Sequence, residues 1–306
     1  MHQPLFSQPR ASQPLVTQSR VSHVLAAAAP AAAESGADRG GQGLRFGVLV
    51  LLAALSVLPI LVMLSTSLKT QRQILGGDFS FFVMPTFDNY RGVLEGRFLG
   101  YLGNSVIVSI SATLLTLIFG TMCAYAISRF RFAGRSPIAI GTLLLRTVPP
   151  AVLAIPAYFI LTPLHLDGLT GLVISYVALN LPFTIWLLYG FIEQVPTELE
   201  EAATVDGCGP YRLFFTLILP LLKPGLAAAA IFTFRIGWNE LVLASILTNR
   251  TSRTLPYGVY LFITDVGIDW GQLMAAGMLV ALPPLIFTFI AARQIITGLT
   301  AGAVKG

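Results

Sequence analysis

Along this chain apolar residues gather into long unbroken runs instead of alternating with polar ones. Residues 46–68, 98–128, 168–192 and 270–292 contain no Asp, Glu, Lys or Arg. About 20 consecutive apolar residues suffice for a helix to cross the ~30 Å hydrocarbon core of a bilayer. Each of these runs is therefore expected to be a spanning helix. Two further stretches are apolar but interrupted: 136–164 holds only Arg146, and 224–249 holds Arg235 and Glu240. The pattern predicts six spans in an all-α polytopic membrane protein. A transmembrane barrel would show the two-residue alternation of apolar and polar positions, which these runs lack.

Composition sharpens this picture. Of 306 residues 55% are hydrophobic and 11% charged, against roughly 25% charged in soluble domains. So few charges cannot cover a water-exposed surface, so lipid is the expected solvent, and the mean hydropathy of +0.77 agrees. The formal charge of +5 is spread singly between apolar runs, so the clustered basic face that nucleic acid requires is absent. Cys123 and Cys208 fall in different contexts and imply no disulfide framework.

Residues 1–43 are rich in Gln, Pro, Ser and Ala and are expected to form a disordered cytoplasmic tail. They carry no secretory signal, so the first span should stay as an anchor. Residues 44–306 form the expected membrane domain. Arg10, Arg20, Arg39 and Arg45 precede span one, Arg129, Arg131 and Arg135 separate spans two and three, and the turn around His165 and Asp167 has no Lys or Arg. The positive-inside rule then puts both termini in the cytoplasm.

The same parity makes 193–223 a polar cytoplasmic loop. Thr197, with Glu200 three residues on, suits a capping box that starts a short helix, and Pro196 stands just outside it. Ala202 and Ala203 are good helix formers, and Gly207 is the expected left-handed terminator. Gly209-Pro210 opens a second helix, with Leu213, Phe214, Leu217 and Ile218 at helical spacing before Pro220 and Pro224. On these residues alone, an ordinary hairpin and a close-packed acidic docking surface account for the loop equally well.

Glu201-Ala202-Ala203, then Asp206-Gly207, then Leu219-Pro220 resembles the EAA signature of ABC-importer permeases, with Leu217 where that signature usually has Ile. Pro85-Thr86-Phe87-Asp88-Asn89-Tyr90, Trp238-Asn239-Glu240 and the tail from Gly298-Leu299-Thr300 to Lys305-Gly306 are similar to the maltose-type carbohydrate-uptake branch, in particular its second permease subunit. The resemblance covers roughly residues 44 to 306. It implies the type I ABC importer permease fold, with six helices. It also implies a sister six-helix permease, two ATP-binding subunits that hold ATP and Mg, and an extracytoplasmic sugar-binding protein. It makes 193–223 a coupling loop whose Glu201, Ala202, Ala203, Asp206 and Gly207 dock on the ATPase, with a second contact near Lys305.

The chain has no phosphate loop of the G-x-x-x-x-G-K-[ST] kind, no H-E-x-x-H and no G-x-S-x-G. Its three histidines, His2, His23 and His165, exclude the usual zinc-protease sites. No catalytic residue, resident cofactor or metal is expected. His165 and Asp167 read as a solvated turn. Ionisable groups inside spans are costly and usually face inward. Arg235, Trp238, Asn239 and Glu240 are expected along a substrate path, although interhelical pairing explains Arg235 as well, and Arg146 suits a structural ion pair. Glu240 would point about 140° from Arg235 on an ideal helix. The residue pattern leaves one alternative, a self-contained secondary carrier of a small solute. That would need a mid-membrane carboxylate, and Glu240 is the one candidate.

Overall fold

The computed structural model describes residues 39–76, 84–264 and 267–303, so most of the expected tail lies outside the described residues. Packing divides the chain into Met1–Pro59 and Ile60–Gly306. Among its described residues the first unit holds the beginning of α1 (Arg39–Ser67), and the second unit holds everything that follows. In order these are α2 (Gln71–Leu75), α3 (Asp88–Glu95), α4 (Phe98–Arg129), α5 (Arg135–Leu145), α6 (Pro150–Leu161), α7 (Gly168–Glu193) and α8 (Thr197–Val205). Then come α9 (Pro210–Leu213), a π turn (Phe214–Ile218), α10 (Leu219–Leu221), α11 (Lys223–Asn239), α12 (Val242–Leu247), α13 (Leu255–Tyr260) and α14 (Trp270–Ala303). Before α14, β1 (Ile263–Thr264) and β2 (Gly267–Ile268) form an antiparallel ribbon that pairs Ile263 with Ile268.

The four charge-free runs each form one long helix, α1, α4, α7 and α14, close to the expected limits. The two interrupted stretches do not. Span three divides into α5 and α6 at residues 146–149, where Pro149 in the β region (ψ 147°) stops one helix and Pro150 opens the next. In the fifth stretch the helix stops at Asn239, where Glu240 turns extended (ψ 120°), and just before the stretch Lys223–Asn239 meets Pro210–Leu221 at a 73° bend. Among the described residues four helices are long and apolar enough to cross a bilayer, or five if the bent pair is one span. Helix length alone thus does not establish six crossings. Pro59, Pro156, Pro182, Pro283 and Pro284 all lie inside continuous helices. A proline removes only its own N–H, and the surrounding helix and its neighbours hold the segment straight enough.

Helices α4 and α7 pack along much of their length and form the spine. Lipid offers little hydrophobic drive between helices, so close approach and interhelical polar contacts must hold them. One face of α4 supplies Ser105, Ser109, Thr113 and Thr116, all buried. Thr184 of α7 meets Thr233 of α11 at 3.3 Å. At Gly120 the two backbones come so close that a Cβ would lie 2.7 Å from Thr184 Cγ2. Three apolar clusters complete the core. Val108, Leu172, Tyr176 and Leu243 fill the Phe98 end of α4, and Ala124, Leu188, Ile192, Ile218 and Leu222 fill its Arg129 end. Phe234, Trp238, Ala275 and Ala276 join α11 to α14.

Candidate functional site

The polar hairpin at the Arg129 end of α4 is built much as its sequence suggests, apart from its first turn. Thr197 is the first helical residue of α8, and Pro196 is its cap without a side-chain hydrogen bond. The expected capping box does not form, because the Glu200 carboxylate is engaged elsewhere. The other end follows expectation closely. Gly207 has φ +83°, its N–H donates to Thr204 O (3.0 Å), and Cys208 N–H donates to Ala203 O (2.9 Å). These two bonds are the Schellman pair that satisfies a helix's last carbonyls, and they require the left-handed residue between them. The side of Gly207 where a Cβ would stand is open space. Pro210 then starts α9 as its first residue. On this hairpin Glu201, Ala202, Asp206 and Gly207 are exposed and Ala203 is half-buried. Val205 and Tyr211, which the sequence does not single out, hold large apolar groups in the open.

Glu200 fixes the base of the hairpin to the membrane helix. Arg129, the last residue of α4, donates from Nε to Glu200 Oε1 at 2.5 Å. Its Nη2 donates to the carbonyls of Ile192 (3.0 Å) and Val195 (2.8 Å). Those carbonyls close the C-terminus of α7, where a helix leaves its last acceptors without partners and a cation is favoured. Tyr125, one turn earlier on α4, donates its hydroxyl to Glu200 Oε2 at 3.0 Å. Ser128 donates to Glu193 Oε1 at 2.5 Å. The Arg129 and Glu200 side chains are only 11% and 14% exposed. One guanidinium therefore ties together the ends of α4 and α7 and the start of α8. Beside it a cleft of about 480 Å³ opens between Tyr125, Arg129, Glu201, Thr204 and Cys208. The sequence marked Arg129 only as one of three inside charges, and it could not show that Arg129 meets a residue 71 positions away.

The four residues expected along a substrate path separate into two pairs. Arg235 and Asn239 lie on the exposed face of α11, with Asn239 Nδ2 donating to Arg235 O at 2.9 Å. Trp238 and Glu240 do not share that face. Trp238 is 1% exposed, stacks on Phe234, and donates Nε1–H to Val280 O of α14 at 3.0 Å. Glu240 is 7% exposed and acts as the cap of α12. It accepts from Val242 N (2.9 Å) at Oε1, and from Leu243 N (2.9 Å) and Ala244 N (3.3 Å) at Oε2. Tyr176 adds its hydroxyl at 3.3 Å. The helix break at Asn239 brings this about, since in a continuous helix the amides of residues 242–244 would have no free donors. Arg146, expected to suit an ion pair, has none among the described residues and lies over the Phe183 ring at 3.9 Å.

Of the remaining motif residues, Asn89 donates to the carbonyls of Ser67 and Lys69, both at 2.8 Å, and so caps the end of α1. Tyr90 meets Ser67 Oγ at 2.8 Å. This motif is a clamp on a helix end. Lys305 lies outside the described residues. The described residues hold no group of three His, Cys, Asp or Glu that could bind a metal.

Residues 116–300 match the family described as binding-protein-dependent transport system inner membrane component. The chain is 38% identical over 254 residues to the diacetylchitobiose uptake system permease protein DasC of Streptomyces coelicolor, covering 82% of this chain and 92% of that protein. It is 36% identical to the trehalose transport system permease protein SugB of Mycobacterium tuberculosis, covering 84% and 95%. In fold it is similar to a chain in the crystal structure of a bacterial ABC transporter involved in the import of alginate. There the TM-score is 0.70 at 22% identity, over 85% of this chain and 98% of that one. With its exposed hairpin, its helical membrane architecture and this match over more than half its length, the chain belongs to the family of binding-protein-dependent inner membrane components and is an ABC importer permease of the type I fold, a multi-pass transport subunit.

Proposed function

We propose that this permease imports a sugar of di- or oligosaccharide size, delivered by an extracytoplasmic binding protein. ATP hydrolysis on two partner subunits, which hold ATP and Mg, drives the import. A second six-helix permease completes the pore in the bacterial cytoplasmic membrane, with both termini of this chain in the cytoplasm and α5 with α6 making one broken crossing. The sugar assignment is supported by the diacetylchitobiose and trehalose permeases that the chain resembles over most of its length. The observation that carries the coupling role is the hairpin itself. It is an exposed short helix with small residues at its centre, ended by Gly207 and anchored by Arg129 to two long helices.

In this mechanism Glu201, Ala202, Ala203, Asp206 and Gly207 form the contact with the ATPase, joined by the tail near Lys305. Ala202 and Ala203 let the partner's surface come close, and Val205 and Tyr211 add apolar contact. Closure of the ATPase pair displaces α8. The Glu200–Arg129 link passes that displacement to the ends of α4 and α7, and the substrate face of α11 with Arg235 and Asn239 follows. A proton-coupled carrier would need a carboxylate free to change its protonation in the membrane. Glu240 is instead occupied by three backbone amides and a tyrosine hydroxyl, which favours the ATP-driven reading.

The test is reconstitution of the chain with its sister permease, ATPase and binding protein in vesicles. Sugar uptake is expected only with ATP and binding protein both present, and it should be indifferent to a protonophore. Uptake by this chain alone, or collapse of uptake on adding the protonophore with ATP present, would reject the proposal.

A further inference from the structure

Arg146 occupies an unusual place for a cation. Helix α5 has 11 residues, so at 1.5 Å per residue Arg146 sits about 16 Å along it, roughly half the thickness of a bilayer core. A charged group at that depth normally finds a carboxylate or carbonyl. Arg146 finds neither among the described residues and is exposed. Among the described residues its guanidinium lies over the face of Phe183 on α7, 3.9 Å from the ring centre. This cation–π contact leaves the guanidinium N–H donors without an oxygen partner among the described residues.

The Phe183 ring in turn stands edge-on to Phe232 of α11, with centroids 5.3 Å apart and planes at 76°. Phe232 is 41% exposed. On an ideal helix Arg235 lies about 60° and Asn239 about 20° around the axis from Phe232, so all three share one face. The helix break before Pro149, the spine helix α7 and the broken fifth span thus bring a guanidinium, an open aromatic ring, a second arginine and an amide to one side of the chain at mid-membrane depth. Lipid is a poor neighbour for these groups. A carbohydrate suits them well, because a pyranose has one apolar C–H face that stacks on an aromatic ring and a rim of oxygens that accept from N–H donors.

We propose that Arg146, Phe183 and Phe232 form a mid-membrane subsite for a pyranose ring, which stacks on Phe232 while its oxygens accept hydrogen bonds from Arg146. Phe183 is the positioning residue that aims the guanidinium. Arg235 and Asn239 extend the same face towards Glu240. The carbohydrate assignment rests on the reading of the chain as a sugar permease, whereas the water-filled, cation-bearing site is tested without transport.

In the assembled complex, Phe232→Cys should react with hydrophilic methanethiosulfonates well above the background of the native Cys123 and Cys208. Phe159→Cys and Phe289→Cys, on exposed apolar faces, should not. The anionic sulfonatoethyl reagent should outpace the cationic trimethylammonium-ethyl reagent at position 232 by several-fold, and Arg146→Met should remove that preference. In Asn239→Cys, which keeps the Phe232 ring and places the thiol on the same exposed face, trehalose or diacetylchitobiose supplied with the binding protein should slow the modification. An unreactive thiol in Phe232→Cys means that the sister subunit or lipid covers this face, and overturns the site. A charge preference unaltered by Arg146→Met overturns the role of the guanidinium. A rate in Asn239→Cys unchanged by both sugars overturns the carbohydrate assignment. Loss of ATP-driven uptake in the unmodified complex would instead count against the proposed function.

Discussion

Gly207 sits at φ +83° with open space where a side chain would stand, so a substitution there acts through the backbone and not through a clash. A β-branched residue in that conformation costs about 1–2 kcal/mol, which changes a docking equilibrium by roughly 5–30-fold. Gly207→Val is expected to uncouple ATP hydrolysis from uptake while the complex still assembles. Sugar-stimulated ATPase activity in vesicles measures this. Asparagine tolerates the left-handed region, and Gly207→Asn should stay near the parent. Equal behaviour of the two variants would remove the conformational argument. Glu240 makes the opposite case, a charged residue with a structural role. Glu240→Gln replaces an acceptor-only group with one that also donates, so at least one amide of α12 loses its partner. A loss of about 1–3 kcal/mol in stability is expected, visible as a lower unfolding midpoint of the purified complex. Gly207 could be read from the sequence because its signal is local, whereas the role of Glu240 depends on a helix break that periodicity does not reveal. The burial of Trp238 has a different cause. Its aromatic ring suits a sugar path on paper, but the packing of α14 decides which face of α11 is covered.

Helix α8 is held by one ion pair of low exposure. Arg129 satisfies a carboxylate and two helix-end carbonyls at once, a task for a planar fork of donors that an ammonium group cannot fill in the same geometry. Arg129→Ala and Glu200→Ala should each lower uptake per ATP hydrolysed, and the double variant should be little worse than either. That corresponds to an interaction energy of roughly 1–3 kcal/mol in a double-mutant cycle. Arg129→Lys should recover part of the loss. Strict additivity would show that the two residues act separately. The element limits themselves were legible wherever composition was extreme, since the charge-free runs became α1, α4, α7 and α14. The mixed stretches were legible only as apolar. Where they break depends on local competition, such as Pro149-Pro150 against helix continuation, or the Glu240 side chain against the backbone.

For the whole chain, the charge distribution makes a topological prediction. Reporters fused after Arg135 and at Thr204 should lie in the cytoplasm, and one near Asp167 outside. An external reporter at Thr204 would place the hairpin away from ATP and end the coupling proposal. The family was legible from residues 201–220 because residue types and spacing together make a distinctive pattern there. The link from Tyr125 and Arg129 to Glu200 was not legible, because it joins positions about 70 residues apart through side chains common in any sequence.

The 73° bend at Leu222 has a mechanical consequence of its own. A backbone hydrogen bond closes each arm at this residue, from Leu222 N to Ile218 O (3.0 Å) on one side and from Leu226 N to Leu222 O (2.8 Å) on the other, and Leu222 is fully buried. Packing of Leu222 in the core fixes the corner, so the two arms are expected to turn together as a bell crank. The arm from Pro210 to Leu221 is about 18 Å long and α11 about 25 Å, at 1.5 Å per residue. A push of about 2 Å at the Pro210 end then rotates the crank by roughly 6° and swings the Asn239 end through about 3 Å, a sideways stroke comparable to the diameter of a sugar ring.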